Sequence, residues 1–319
     1  MTLTLIPSTQ TLKASSAKDA LAAVPEEQVW LANFTSSRTK ATYANAVREM
    51  VGFLGIDSPE QLYDIDQAHV IAWRDQLAAE GASPRTISNR QSAVSSLFAH
   101  LCEKQICAKN PVSGVKRPKV ASHSVETPAL SRAQVRAMLD APDAETLQGL
   151  RDRALMHVYF YTGCRESEPC ALRVRDFHQD QGYWVLDFTV KGGKRNRVAV
   201  HPECQHALAS YIEAMRNEYS ASYCRDAWIF QAIFNGKSGR PMTRQRFYQL
   251  FKKYAAEADL PEGVVPHSAR ATFITEALDR EHPAEAVQKT VGHASITTTL
   301  AYDKRDHHPK NSASFAVRY

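Results

Sequence analysis

PHSARATFITEALDREHPAEAVQKTVGHASITTTLAY, residues 266–302, is the stretch around which the rest of the chain is organised. It places His267 and Arg270 three residues apart. On a helix this spacing puts both side chains on one face, where both can meet a single anion. His293 follows in a Val-Gly-His motif, and Tyr302 comes after three threonines. The spacing of the first pair predicts a phosphate site.

Two upstream motifs supply a second arginine and a lysine. The run TGCRESE, residues 162–168, places Arg165 just after an apolar segment, and Lys191 opens a Lys-Gly-Gly-Lys turn. The chain resembles the tyrosine recombinase (phage integrase) family in the order of these motifs, which is arginine, lysine, His-x-x-Arg, histidine and tyrosine. The resemblance covers residues 26–302. The catalytic set that it implies is Arg165, Lys191, His267, Arg270, His293 and Tyr302.

The resemblance implies transfer of a DNA phosphoryl group to a tyrosine. Two arginines suit the phosphate, because each guanidinium is permanently charged and makes paired hydrogen bonds to phosphate oxygens. Tyr302 is the implied nucleophile and forms a 3′-phosphotyrosyl bond. Since a phenol has a pKa of about 10, a neighbouring base such as His267 accepts its proton. His293 hydrogen-bonds the scissile phosphate, and Glu168 orients the catalytic groups without attacking.

The departing 5′-oxygen needs a proton, which the family takes from a lysine in a turn between two strands. We assign this role to Lys191, the first lysine of KGGK at residues 191–194, and Lys194 is the alternative. The glycines of this motif allow a tight turn and a close approach to DNA. Three neighbours of the catalytic motifs, Cys164, Pro169 and Ala271, depart from the family pattern and leave the subfamily open.

Composition predicts an intracellular protein with two domains. A chain of 319 residues can bury two separate cores, and its net charge of +5 favours a polyanionic partner. No apolar run reaches the roughly 20 residues that span a bilayer, so we expect a cytoplasmic protein. The resemblance adds association with the nucleoid and a prokaryotic, phage, plasmid or transposon origin.

No cofactor or metal is expected. The six cysteines have no paired Cys-x-x-Cys spacing, so the sequence indicates neither a zinc site nor a disulfide framework. The chain also lacks the clustered carboxylates that two-metal nucleases need. We therefore expect a metal-free mechanism.

The sequence divides into five parts. Residues 1–25 resemble a flexible leader, and residues 26–107 predict a bundle of four or five helices, which the resemblance identifies as a SAM-like core-binding domain. Residues 108–128 are rich in proline, glycine and lysine and predict a basic linker. Residues 129–302 are the catalytic domain, and residues 303–319 form a tail.

The fold class expected is mainly α with a small antiparallel β-sheet. In the first domain Gly55 ends a long helix, and Asp66 and the Ser-Pro pairs at residues 58–59 and 83–84 begin others. In the second domain residues 183–190 and 197–200 predict a β-hairpin among helices. The catalytic domain is thus predicted as α+β.

Basic residues outside the catalytic set predict DNA contacts. They stand at helix starts of the first domain, in the linker, and in the segment 231–256, which has no acidic residue. An ordinary solvated surface is the alternative for each group. The residues are Arg38, Lys40, Arg85 and Arg90, then Lys116, Arg117 and Lys119, then Arg244 and Arg246.

The leading function is a site-specific recombinase acting on double-stranded DNA with a short inverted-repeat core site, as a tetramer when two sites are paired. One alternative is a type IB topoisomerase-like enzyme, which shares the phosphotyrosine chemistry but needs a single DNA molecule. The other is a non-catalytic DNA-binding regulator. The tail either docks on a neighbouring protomer through Phe315 and Val317 or is disordered.

Overall fold

The computed structural model describes residues 25–119, 127–190, 193–233 and 239–303. The chain forms two compact units, one ending at Ala121 and the other beginning at Ser122, and each is described by itself. No helix within the described ranges is long and apolar enough to cross a membrane.

Within residues 25–119 the N-terminal unit has five helices, in agreement with the four or five predicted. Three of them begin with a serine or aspartate cap, because the side chains of Ser36, Asp66 and Ser83 accept hydrogen bonds from free backbone amides in the first turn. Gly55 ends the second helix in a left-handed conformation with φ 65°. The helices are α1 (Glu26–Ala32), α2 (Ser37–Leu54), α3 (Pro59–Tyr63), α4 (Gln67–Ala79) and α5 (Pro84–Glu103).

The first part of the predicted linker packs on this bundle. Val112 and Val115 are buried in the same core as the helices, and the side-chain amide of Asn110 donates to the Ser95 carbonyl over 2.9 Å. Arg74 of α4 donates to the carbonyl of Lys116 over 3.1 Å. The composition of this stretch is that of a linker, but two well-spaced valines anchor it on the helical core. Residues 120–126 lie outside the described ranges.

The C-terminal unit is helical with one small sheet, which confirms the predicted fold class. Short 3₁₀ turns at Pro169–Ala171 and Val174–Asp176 lead into the sheet, and another at Ser220–Ser222 follows the helix Pro202–Tyr219. The elements are α6 (Arg132–Asp140), α7 (Leu147–Thr162), β1 (Phe177–Asp180), β2 (Tyr183–Thr189), β3 (Arg195–Ala199), α8 (Pro202–Tyr219), α9 (Arg244–Glu257), α10 (Pro266–Asp279), α11 (Ala284–Val291) and α12 (Ile296–Leu300).

The sheet is antiparallel in the order β1-β2-β3. The predicted hairpin is confirmed, with Leu186 of β2 opposite Val198 of β3. Strand β1 was not predicted, because its sequence FHQD contains one apolar residue and shows no alternation. It is set by the tight turn that places Asp180 opposite Tyr183.

Helix α7 is the centre of the C-terminal unit. Every residue from Ala154 to Phe160 is buried, so the helix is covered on all sides, and it packs against α8 and α10. It ends at Gly163, whose φ of 60° favours glycine. A Cβ at this position would lie 2.5 Å from the ring of Phe273, so a larger residue would push α10 away. This close approach places the segment after α7 beside α10.

Candidate active site

Arg270 is a buried arginine on α10. Pro266 begins the helix, and four residues later the Arg270 side chain is only 2% exposed. Its two terminal nitrogens donate to backbone carbonyls, Nη1 to Gly163 over 2.6 Å and Nη2 to Val291 over 2.8 Å. Arg270 therefore joins the end of α7 to the end of α11, and its charge lies where the three segments meet.

Arg165 reaches the same place from the end of α7. Its backbone N–H and its Nη1 both donate to the Glu168 carboxylate, over 2.7 and 2.8 Å. Its Nη2 donates to the carbonyl of Gly292 over 2.7 Å. Because Arg165 and Arg270 bond to carbonyls of adjacent residues, the two predicted guanidinium groups lie side by side. These two hydrogen bonds let Glu168 orient the side chain of Arg165, as expected of an orienting acid.

His267 and Tyr302 are hydrogen-bonded partners. Nε2 of His267 lies 3.0 Å from the hydroxyl of Tyr302. Tyr302 is 5% exposed. Burial, with the positive charges of Arg270 and Arg165, holds the pKa of His267 below its usual range. Burial also raises the pKa of Tyr302, and Arg270 opposes part of that effect. At neutral pH a protonated phenol thus faces a neutral imidazole that can accept its proton.

His293 completes the cluster. Gly292 ends α11 with φ 63°, and the chain then turns so that the His293 ring lies nearly parallel to the Tyr302 ring, with 6.2 Å between centroids. Burial and the charges of Arg270 and Arg165 lower the pKa of His293 to about 4. Its Nδ1 lies 2.9 Å from the hydroxyl of Thr299. Thr299 could not be predicted from the sequence, because a threonine in a run of three carries no chemistry by itself.

The strand β3, which follows the predicted lysine turn in the chain, adjoins this cluster. Lys191 lies outside the described residues, and the exposed Lys194 accepts a backbone hydrogen bond from Val190 over 2.8 Å. On β3 the side-chain amide of Asn196 donates to the Thr290 carbonyl over 2.8 Å, which ties the hairpin to the end of α11. The choice between Lys191 and Lys194 stays a prediction. Asn196 was missed because its partner lies 94 positions away in the chain.

A charged network stiffens the hairpin on its other face. The carboxylate of Asp187 on β2 is buried and accepts two hydrogen bonds from Arg197, over 2.7 and 2.9 Å. With His178 of β1 also 3.1 Å away, these bonds lower the pKa of Asp187 to about 2. The three strands are thereby linked by side chains as well as by the backbone. This network was not predicted, since charged residues in a short hairpin usually face solvent.

The predicted DNA contacts fall into two kinds. Arg90 pairs with Glu49 over 2.8 Å, Arg244 with Glu166 over 2.7 Å, and Arg117 donates to Ser92 over 2.6 Å. The others make no ion pair with any described residue, and all of them are exposed except Lys40, which is partly buried. The DNA-binding role of both kinds stays a prediction. The second kind is Arg38, Lys40, Arg85, Lys116, Lys119 and Arg246.

No metal-binding group of three or more His, Cys, Asp or Glu side chains occurs among the residues that the structure describes. The polar cluster at the end of α7 is instead built from two cations, two neutral imidazoles and a phenol. Such a set can bind an anion and deliver a hydroxyl nucleophile to it. Its chemistry is that of transfer to a tyrosine.

The fold and this cluster define a DNA strand transferase that works through a tyrosine. The family model of the phage integrases matches residues 128–308, more than half of the chain, and the model of their N-terminal SAM-like domain matches residues 26–105. The chain belongs to the phage integrase family and is a tyrosine site-specific recombinase. This confirms the resemblance found in the sequence.

Relatives cover most of the chain. Tyrosine recombinase XerD of Xanthomonas axonopodis pv. citri (strain 306) is 33% identical over 271 residues, which cover 84% of this chain and 85% of the relative. Tyrosine recombinase XerD of Listeria monocytogenes serovar 1/2a is 26% identical over 270 residues, covering 84% of this chain and 88% of the relative.

Solved structures share the fold. XerH site-specific recombinase bound to its palindromic difH substrate has a TM-score of 0.65 at 20% identity, covering 82% of this chain and 75% of that chain. A lambda integrase dimer bound to a COC′ core site also has a TM-score of 0.65, at 16% identity, covering 94% of this chain and 84% of that chain. At these identities the likeness concerns the fold.

Proposed function

We propose that Arg165, His267, Arg270 and His293 bind one scissile phosphate of DNA while Tyr302 attacks it. The observation that carries this proposal is the convergence of the two arginines on the adjacent carbonyls of Val291 and Gly292, next to the hydrogen-bonded pair of His267 and Tyr302. Separate segments of the C-terminal unit supply these side chains, so it is the tertiary fold that brings them together.

The chemistry follows from the protonation states. The Tyr302 oxygen attacks phosphorus and forms the phosphotyrosyl bond on the 3′ side, while the bond from phosphorus to the 5′-oxygen breaks. The phenol proton passes to Nε2 of His267, 3.0 Å away. The guanidinium groups stabilise the charge that grows on the non-bridging oxygens. Lys191 supplies the proton of the departing 5′-hydroxyl.

Rejoining is the reverse of cleavage. A 5′-hydroxyl, from the same duplex or from a partner duplex, attacks the phosphotyrosine and gives its proton to Lys191. The bond from phosphorus to Tyr302 breaks, and the proton on His267 returns to the phenol. The phosphoester bond energy is kept throughout, so no nucleotide cofactor takes part. This reversibility lets one site perform both cleavage and strand exchange.

The substrate that we propose is double-stranded DNA with a short inverted-repeat core site, paired with a second such site in a tetramer. Related structures support this proposal, since XerH is bound to a palindromic substrate and a lambda integrase tetramer to a Holliday junction. The exposed arginines at the starts of α2 and α5 suit contacts to backbone phosphates. With such a substrate, we also propose that the enzyme acts in the cytoplasm on the nucleoid.

Trapping of a covalent complex tests this proposal. A duplex carrying a nick just beyond the cleavage point loses a short fragment after attack, so the 5′-hydroxyl diffuses away and the adduct accumulates. With random fragments of its native replicon prepared in this way, we expect a protein–DNA adduct that maps to one site and is joined through the 3′ phosphate, together with a released fragment that carries a free 5′-hydroxyl. Adducts scattered without sequence preference and relaxation of single plasmids would support the topoisomerase alternative instead.

Residues 304–319 are proposed to dock on a neighbouring protomer. They lie outside the described ranges, and they contain Phe315 and Val317 as apolar anchors. A groove of about 600 Å³ on the C-terminal unit suits such a segment. Its apolar floor and charged rim lie between α6, α10 and α11, and the floor includes Val135, Leu139, Phe160, Phe273 and Val287.

Deletion of residues 311–319 tests this contact. We expect the truncated chain to cleave a single nicked site at close to the normal rate, because the described catalytic groups all precede residue 304, but to lose recombination between two sites. Gel-shift assays on paired sites should then show monomers and dimers of the protein on DNA without tetramers. Unchanged assembly and recombination would contradict the proposed docking.

A further inference from the structure

His293, the second histidine of the site, can donate a hydrogen bond to a phosphate in only one of its two neutral tautomers. At neutral pH His293 carries a single ring proton, since burial and nearby arginines lower its pKa to about 4. A neutral imidazole donates from one nitrogen and accepts at the other, and the partner of one nitrogen selects the form. What hydrogen-bonds His293 therefore decides whether it can donate to a phosphate oxygen.

The partner of His293 is a buried hydroxyl. Thr299 on α12 is 0% exposed, and its Oγ1 lies 2.9 Å from Nδ1 of His293. No other hydrogen bond of this hydroxyl occurs within the described residues. If Nδ1 carried the proton, the Thr299 hydroxyl would accept it and leave its own hydrogen buried without an acceptor, at a cost of about 1–3 kcal/mol. The satisfied arrangement has Thr299 donating to Nδ1.

We propose that Thr299 is a positioning residue that donates its hydroxyl hydrogen to Nδ1 of His293 and so fixes the tautomer whose Nε2–H donates to the scissile phosphate. This rests on the proposed function. Nε2 has no hydrogen-bond partner within the described residues. His293 directly follows Val291 and Gly292, whose carbonyls accept from Arg270 and Arg165 over 2.8 and 2.7 Å, so its ring lies close to the arginine pair.

Thr299 also helps to place the nucleophile. Its backbone carbonyl accepts the Tyr302 N–H over 3.0 Å, so one residue holds the imidazole with its side chain and the phenol with its backbone. The near-parallel packing of the His293 and Tyr302 rings depends on both bonds. Removing only the hydroxyl should disturb the imidazole while the backbone bond to Tyr302 remains.

The tautomer can be read directly. In full-length protein with ¹³C,¹⁵N-labelled histidine, ring nitrogen and ¹³Cδ2 chemical shifts distinguish the two neutral forms, and His293→Gln assigns the His293 signals. We expect the Nε2–H form in the unaltered protein and in Thr299→Ser. In Thr299→Val, which has nearly the same volume, we expect a mixture or the Nδ1–H form. Thr298→Val, at an exposed neighbouring threonine, is the matched control.

Cleavage of the nicked substrate in a single turnover gives the functional reading. We expect Thr299→Val to be slower by about tenfold to a hundredfold, as for other groups that orient a functional histidine, and Thr299→Ser and Thr298→Val to stay within about threefold of the unaltered rate. The proposal is overturned by an Nδ1–H tautomer in the unaltered protein, or by an unchanged tautomer in Thr299→Val. Neither tautomer measurement needs cleavage, so failure of the proposed function is separately visible as absence of the adduct.

Discussion

Replacement of Tyr302 by phenylalanine is expected to abolish the covalent protein–DNA adduct. The change removes only the hydroxyl oxygen that is proposed to attack phosphorus, and no other described tyrosine hydroxyl is hydrogen-bonded to a histidine of the cluster. Loss of a nucleophile typically lowers turnover by about 10⁴-fold or more, so the adduct should fall below detection. Denaturing gels of the nicked substrate after a long incubation measure this.

DNA binding by the same variant should be retained. The phenylalanine ring keeps the packing of Tyr302 in the small core formed with α10 and α11, and only the hydrogen bond to His267 is lost, which costs about 1 kcal/mol of folding stability. Tyr183→Phe is a suitable control, since Tyr183 is 69% exposed on β2. An equal yield of adduct from Tyr302→Phe would refute the assignment of the nucleophile.

The members of the candidate site could be selected from the sequence because they are functional groups in a fixed chain order, and their catalytic roles stay a prediction. Each of Arg165, His267, Arg270, His293 and Tyr302 stands in a short motif, and the helix capped by Gly163 and the helix begun by Pro266 both follow from local rules. What joins these motifs is not local. The bonds from the arginines to the carbonyls of residues 163, 291 and 292 connect backbone groups that have no residue-type signal.

The elements that sequence reasoning missed share this cause. Strand β1 forms because β2 offers it a partner, although FHQD alone has weak strand character. Val112 and Val115 join the first core although proline, glycine and lysine dominate their surroundings. Thr299 and Asn196 matter through partners elsewhere in the fold, and a threonine or an asparagine has many ordinary uses. Long-range contacts decide all of these.

Arg270→Lys is expected to lose both cleavage and stability although it keeps the positive charge. Arg270 is 2% exposed, and it donates to two carbonyls from two nitrogens of one planar group. A lysine has one ammonium on a flexible stem and cannot reproduce that fork, so at least one buried carbonyl loses its partner. We expect single-turnover cleavage to fall by about 10²–10³-fold, the usual effect of losing a donor that stabilises a developing oxyanion.

The free energy of unfolding should show the loss of the two guanidinium hydrogen bonds without any DNA present. An unsatisfied buried carbonyl costs about 1–3 kcal/mol, so the urea midpoint of the C-terminal unit should fall in Arg270→Lys and fall further in Arg270→Ala, where both carbonyls lose their partner. Arg280→Lys is the matched control on the same helix, because Arg280 is 59% exposed and pairs with Glu276. If Arg270→Lys cleaved normally, charge alone would suffice at this position. The hydrogen bonds from Arg270 to the carbonyls of residues 163 and 291 would then contribute to folding without a role in catalysis.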